Sequence, residues 1–347
     1  MHWAAIALAF SLSLLLTPVL KWVAPRIGAL DRPDPRKIHS APMPRLGGVA
    51  IFIGFVAAFL VAGITDPAYR GMLWGASLVT AVGLLDDIKG LSPRWKLAGQ
   101  VSAALIVTVL GVRVEFLTNP FNGLLFLGKL AIPVTLLWLV GVTNALNLVD
   151  GLDGLAAGTA IIAALTMAVV AWLQGEIWVA FLALALAASA LGFLPYNFYP
   201  ASIFMGDSGS MFLGFTLASL AVLGLTKSAT VISLFVPVVI LGIPILDTLF
   251  AIVRRFLNHR PIFQPDKGHL HHCLMAQGFS QRQAVLAIYL VNLCLGASAV
   301  GLTRLTTERG MLILLLLAVL VIWGSNRIGV IGYHLKPAKR RRDIFHL

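Results

Sequence analysis

The stretch Asn144–Gly158 reads NALNLVDGLDGLAAG: two amides, Asn144 and Asn147, then two carboxylates, Asp150 and Asp153, each followed by glycine. On either side lie the apolar runs 129–147 and 155–173, each close to the roughly 20 residues an α-helix needs to cross the hydrocarbon core. Polar groups this dense beside membrane-length helices are costly and call for a functional reason.

Working outward, windows of the same length mark further runs at 2–24, 46–63, 71–86, 97–112, 177–195, 209–226, 229–251, 283–303 and 309–328. The chain has 347 residues, is 59% hydrophobic and 12% charged, and has a mean hydropathy of +0.92. A soluble domain is only about half apolar. The expected fold is an all-α polytopic membrane protein of about eleven transmembrane helices, with residues 1–347 as a single membrane domain. The first run has no basic region before it and no small-residue cleavage site, so it reads as a span. Cys273 and Cys294 make no disulfide framework. Asn122-Gly123, between apolar residues, predicts a small outward β-hairpin.

Lysine and arginine set the orientation. With eleven spans, one face carries Arg70, Arg113, Lys129, Lys227, Arg304 and Arg309, and the other carries the remaining twenty of 26 basic residues. The richer face is expected to be cytoplasmic. That puts the N-terminus outside and the C-terminus, with a basic tail over 336–347, in the cytoplasm. The net charge of +12 is thus largely a topology signal. Attraction to anionic headgroups accounts for Lys339-Arg340-Arg341-Arg342 better than nucleic acid does.

The cytoplasmic connections carry the chemistry. The first is rich in proline and bases, Lys37 among them, and suits an anionic ligand. The third run ends in Asp86-Asp87, at the negative end of a helix dipole, where each charge typically costs about 0.3 to 1 kcal/mol. Lys89, Arg94, Lys96 or a metal ion is expected to compensate. Adjacent helical positions diverge, so Asp86 and Asp87 are expected to do different work. Asp207 and Ser208 open an apolar run either as a helix cap or as a phosphate-binding helix start. Asp247, inside the ninth run, is expected to pair with Arg254, Arg255 or a lysine. His269, His271, His272 and Cys273 lack the second ligand pair that structural zinc normally draws on. They read better as hydrogen-bond donors to a phosphorylated substrate. Acids alone would repel a soluble anion and a lipid-borne one, so a divalent cation is expected between them, with magnesium or manganese favoured by hard oxygen ligands.

In order along the chain stand Arg36-Lys37-x-His39 with Pro42-x-Pro44-Arg-Leu-Gly47-Gly48, then Asp86-Asp87. Next come Asn144-x-x-Asn147-x-x-Asp150-Gly-x-Asp153-Gly, Gly206-Asp207-x-Gly209-Ser210 and His269-x-His271-His272. This set resembles the polyprenyl-phosphate N-acetylhexosamine-1-phosphate transferases, a family that includes phospho-MurNAc-pentapeptide translocase and the bacterial GlcNAc-1-phosphate transferases. The Pro-Arg-Leu-Gly-Gly and His-Leu-His-His forms look more like the second group.

The resemblance implies a transferase of the bacterial plasma membrane with its site on the cytoplasmic side. UDP-N-acetylhexosamine and undecaprenyl phosphate would give undecaprenyl-diphospho-N-acetylhexosamine and UMP, opening O-antigen or teichoic-acid synthesis. It implies Asp207 and Asn147 as ligands of Mg2+ (or Mn2+), and Asp86 and Asp87 on the lipid phosphate, one as its base, with Lys96 as a cationic clamp and Lys37 among the substrate-binding residues. Asp153 would read the uracil under a stacking Phe204, and Asp150 and Asn197 would shape the nucleoside pocket. His271 and His272 would contact the diphosphate, with His269 at the sugar. A homodimer is the expected assembly. The alternatives are the MurNAc-pentapeptide branch and, in another class, a membrane transporter. Transporter sites lie on broken helices near the midplane, whereas these acids sit at helix ends.

Overall fold

The computed structural model describes residues 2–31, 42–119, 123–225, 231–259 and 268–330. Lys37 and the tail 336–347 lie outside them. The helices are α1 (Trp3–Val23), α2 (Gly47–Val61), α3 (Pro67–Lys89), α4 (Pro93–Val109), α5 (Ala131–Val149), α6 (Leu155–Leu173), α7 (Ile177–Asn197), α8 (Gly206–Leu220), α9 (Val231–Ile240), α10 (Gly242–Leu257), α11 (Leu270–Ala276), α12 (Gln281–Leu302) and α13 (Thr307–Ile328). Two short antiparallel pairs accompany them: β1 (Leu30–Asp31) with β2 (Met43–Pro44), and β3 (Phe116–Asn119) with β4 (Gly123–Phe126), Phe116 opposite Phe126.

Among the described residues, eight helices are long and apolar enough to cross a membrane. The other three expected spans correspond to shorter helices, so the count of eleven does not follow from length alone. Helix α2 has 15 residues and α4 has 17. The run 229–251 is divided between α9 and α10 at Leu241, with Pro237 inside α9 and Pro244 in the first turn of α10. Proline removes a backbone donor and clashes with the preceding turn, which accounts for the break.

Helix α8 is the axis of the bundle. Its apolar window is 89% buried, whereas that of α13 is 0% buried. It packs against α2, α3 and α5. Glycine sets how near they come: a β-carbon on Gly48 would lie 2.1 Å from the Gly209 nitrogen, and one on Gly83 would lie 2.5 Å from the Ser208 nitrogen. Small residues give close approach where no hydrophobic force distinguishes helix from lipid. Helix α1 packs on α2 and α7 in the same way, at Gly54 and Gly192. The first turn of α8 is thereby pressed against the end of α3, which is where the site forms.

Candidate active site

The end of α3 supplies Asp86 and Asp87, and the two diverge as adjacent helical positions must. Asp87 points at the start of α8. Its Oδ1 accepts the Asp207 amide at 2.9 Å and its Oδ2 the Ser208 amide at 3.0 Å. The first four amides of a helix have no partner within it, and here a carboxylate from another helix satisfies two of them. Asp207 is therefore not the cap of α8; it stands one residue inside, capped by Asp87. The chain enters through Gly206 at φ 74°, in the left-handed region, where a side chain would also strike the Asp87 carboxylate.

Asp86 points the other way. Its Oδ1 accepts the Leu91 amide at 2.6 Å, and its Oδ2 accepts from Lys96 Nζ at 3.0 Å. The same ammonium donates to Asp207 Oδ2 at 2.6 Å, while Asn147 Nδ2 donates to Asp207 Oδ1 at 3.2 Å and to Ser210 Oγ at 2.8 Å. The compensation expected at the end of α3 thus comes from Lys96. It also comes from Arg45, whose guanidinium donates to the backbone carbonyls of Asp87 at 3.0 Å and Asp86 at 3.2 Å.

Asp86, Asp87 and Asp207 each offer an oxygen within 4.8 Å of the others, a group that could hold a metal ion. The donor set fits a hard cation: carboxylate oxygens, with a cationic side chain already drawn between two of them. Asp150, beside this group, accepts no hydrogen bond among the described residues. Burial, with the charges of Asp207, Asp87 and Asp153 adding to it, holds its carboxyl up at about 7. A carboxyl so placed favours a cation nearby.

The turn 150–154 faces the segment 197–204. Asp153 Oδ2 accepts the Ala201 amide at 2.9 Å, so it braces that segment and does not cap α6. Asn197, buried, accepts from the Gly154 amide at 3.1 Å and donates to the Ile203 carbonyl at 3.1 Å, tying both loops together. Phe204 is half-buried beside them, its backbone paired with Pro44 and Gly47.

The histidines complete the same end of the bundle. His271 is buried with its ring against Gly151, where a β-carbon would lie 2.6 Å from Nε2. Its ring stacks on His269 at 6.0 Å and tilts against His272 at 4.2 Å. Burial, with His272 next in weight, pushes His271 down to about 3. Among the described residues, Asp247 pairs with a histidine and an amide in place of an arginine or a lysine: its Oδ2 binds His269 Nδ1 at 2.8 Å and its Oδ1 accepts the Leu270 amide at 2.8 Å. A buried carboxylate can be balanced by a ring N–H and an amide as well as by a formal cation, which is why counting nearby bases misassigned it. Among the described residues, the carboxylates form a metal-competent group and the histidines with Cys273 do not.

The model of glycosyl transferase family 4 matches residues 69–225. A Bacillus subtilis protein described as a probable undecaprenyl-phosphate N-acetylglucosaminyl 1-phosphate transferase is 45% identical over 338 residues, 96% of this chain and 94% of that one. The chain belongs to glycosyl transferase family 4. Two other relatives are a Mycobacterium tuberculosis decaprenyl-phosphate N-acetylglucosaminephosphotransferase, 38% identical over 79% of this chain and 76% of that one, and a Desulforudis audaxviator phospho-N-acetylmuramoyl-pentapeptide-transferase, 36% identical over 84% and 95%.

The matched region of this glycosyltransferase holds Asp86, Asp87, Lys96, Asn147, Asp150, Asp153, Asn197, Phe204 and Asp207; the histidines and Lys37 fall outside it. Of the residues expected at the site, the structure gathers the carboxylates, Lys96 and Asn147 around Asp207, and the histidines against the glycine turn. The sequence reading missed the roles of Arg45 and Ser210, and it passed over Gln100, which is buried on α4 away from these groups. Gln100 carried a signal, being a lone amide in the apolar run 97–112.

Proposed function

We propose that this protein transfers N-acetylglucosamine 1-phosphate from UDP-N-acetylglucosamine to undecaprenyl phosphate, releasing UMP, as a first membrane step of cell-surface polysaccharide synthesis. The observation that carries the reading is the convergence of Asp86, Asp87 and Asp207 around Lys96 at the ends of membrane helices. The names of the relatives support the substrates.

An oxygen of the lipid phosphate attacks the phosphorus that bears the sugar, and the bridging oxygen leaves with UMP. One phosphoanhydride replaces another, so the work of the protein is positioning and charge neutralisation. Asp87 and the glycines hold the start of α8 in place. Lys96 meets the charge of the lipid phosphate, and Asp86, which shares that ammonium with Asp207, takes its proton if it arrives protonated. Magnesium, held by Asp207 with Asn147, would supply charge neutralisation to the diphosphate. Asp153, Asn197 and Phe204 form the nucleoside side, with Asp150 between it and the acid cluster. His271 and His272 serve the diphosphate and His269 the sugar. The site faces the cytoplasm of a bacterial plasma membrane, and the protein works as a homodimer.

The test is UMP release from purified protein with magnesium, undecaprenyl phosphate and either UDP-N-acetylglucosamine or UDP-MurNAc-pentapeptide. Turnover of the first supports the proposal; turnover of the second alone moves the protein to the other branch. No turnover of any UDP-amino-sugar sinks the enzymatic reading.

A further inference from the structure

Gln100 and Asn144 touch none of the groups assigned above, yet they form a reciprocal amide pair inside the bundle. Asn144 Nδ2 donates to Gln100 Oε1 at 2.7 Å, Gln100 Nε2 donates to Asn144 Oδ1 at 3.3 Å, and Asn144 Nδ2 also reaches the Val140 carbonyl at 2.8 Å. Gln100 is 2% exposed. Among the described residues, this is the hydrogen-bonded connection between α4 and α5; their other contacts are packing.

Stability alone is a poor reason for such a pair. Interhelical hydrogen bonds in membranes add little net stability, and replacing both partners of a buried pair by apolar groups of similar shape is nearly neutral. Position gives a better reason. Gln100 follows Lys96 by four residues and Asn144 precedes Asn147 by three, so each amide sits one turn below a site residue on the same helix face. Those two site residues approach Asp207 from different helices and take different oxygens, Lys96 on Oδ2 and Asn147 on Oδ1. A slide of α4 along α5 would take one of them off Asp207.

We propose that the Gln100–Asn144 pair is a positioning device that fixes the axial register of α4 against α5, so that Lys96 and Asn147 close together on Asp207. Apolar packing can adjust to a small slide by changes of rotamer; two opposed amides cannot, because a shift sets donor against donor. The inference rests on the transferase reading for its kinetic consequence and on geometry alone for its register.

The test uses the full-length protein in detergent. Gln100→Leu/Asn144→Leu removes both amides, so no lone polar group is left buried. Its thermal midpoint should stay within a few degrees of wild type, while kcat for UMP release falls roughly 10- to 100-fold, the scale of an ångström-level misplacement. Michaelis constants for both substrates should change far less. Lys96 should also react several-fold faster with an amine-acetylating reagent, read by mass spectrometry. The exchange Gln100→Asn/Asn144→Gln restores a reciprocal pair and should recover most of the lost rate. A double-leucine protein with wild-type kcat and Lys96 reactivity overturns the proposal, as does a loss of rate that merely follows the unfolded fraction. An exchanged protein no better than the double leucine also counts against it. If wild type itself shows no turnover, the function reading fails, and Lys96 labelling still decides the register.

Discussion

Lys96 Nζ stands 2.6 Å from Oδ2 of Asp207, across 111 residues of sequence, and the same ammonium reaches Asp86 at 3.0 Å. One cation thus joins the ends of α3, α4 and α8. Lys96→Met leaves two facing carboxylates without it, and kcat for UMP release should fall by roughly 100-fold or more, as when a preorganised charge is removed from a reaction centre. Asp207→Asn should abolish turnover at ordinary magnesium with the protein still folded. Steady-state kinetics beside a thermal melt reads both; near-normal rates in either variant would remove that residue from the chemistry.

Asp87 and Asp86 are neighbours with separable roles. Asp87 spends both oxygens on the first turn of α8. In Asp87→Asn, one of those oxygens becomes an amide donor facing another donor. The expected penalty is that of an unsatisfied buried group, about 1 to 3 kcal/mol, seen as a lower melting temperature together with lost activity. Asp86→Asn keeps an acceptor for the Leu91 amide and should lose activity with a smaller change in melting. Equal melting shifts for the two variants would contradict this division.

Asp150 provides a pH test. Its folded value lies near 7, above the ordinary 3.8, so the folded protein holds a proton there that the unfolded chain has released. This group therefore lowers stability as pH rises from about 4 through about 7. Asp150→Asn should melt higher than wild type at pH 8, and the difference should vanish toward pH 4. A difference that does not change with pH would show that Asp150 is not held neutral by its surroundings.

How far the sequence revealed all this depends on the range of the signal. Apolar runs of membrane length are local, and they located the helices. Only the break at Leu241, where two prolines fall within eight residues, and the short α2 and α4 separate run from span. The acid motifs were legible because a charge is conspicuous in a chain that is 12% charged. Partnership was not legible. That Asp87 caps a helix beginning 119 residues later, or that Asp247 balances His269, depends on packing between distant segments, and spacing carries no record of it. Gln100 was overlooked for the same reason, its partner lying on the next helix.

Asp247 holds His269 by Nδ1 and the start of α11 by the Leu270 amide. Asp247→Asn can keep the second bond but presents an N–H where the first needs an acceptor, which turns the ring. The expected result is a fall in kcat of roughly tenfold or more, by analogy with other carboxylate-oriented imidazoles, with little change in melting. An unchanged kcat would show that His269 is not oriented for the reaction.

His271, held near 3 against an ordinary 6.5, stays neutral across the working pH range. It therefore offers a substrate diphosphate a ring N–H and no positive charge. Below about 6.5 the unfolded chain takes up a proton that the folded ring refuses, so stability is lost as pH falls from 6.5 toward 3. His271→Gln keeps a hydrogen-bond donor and removes this titration, so its melting temperature should fall less steeply than that of wild type between pH 6.5 and 4. Its kcat should drop while the acid limb of the rate profile stays at the same pH. An acid limb that moves or disappears in the variant would mean that His271 titrates during turnover, and its buried, neutral state would not be the working one.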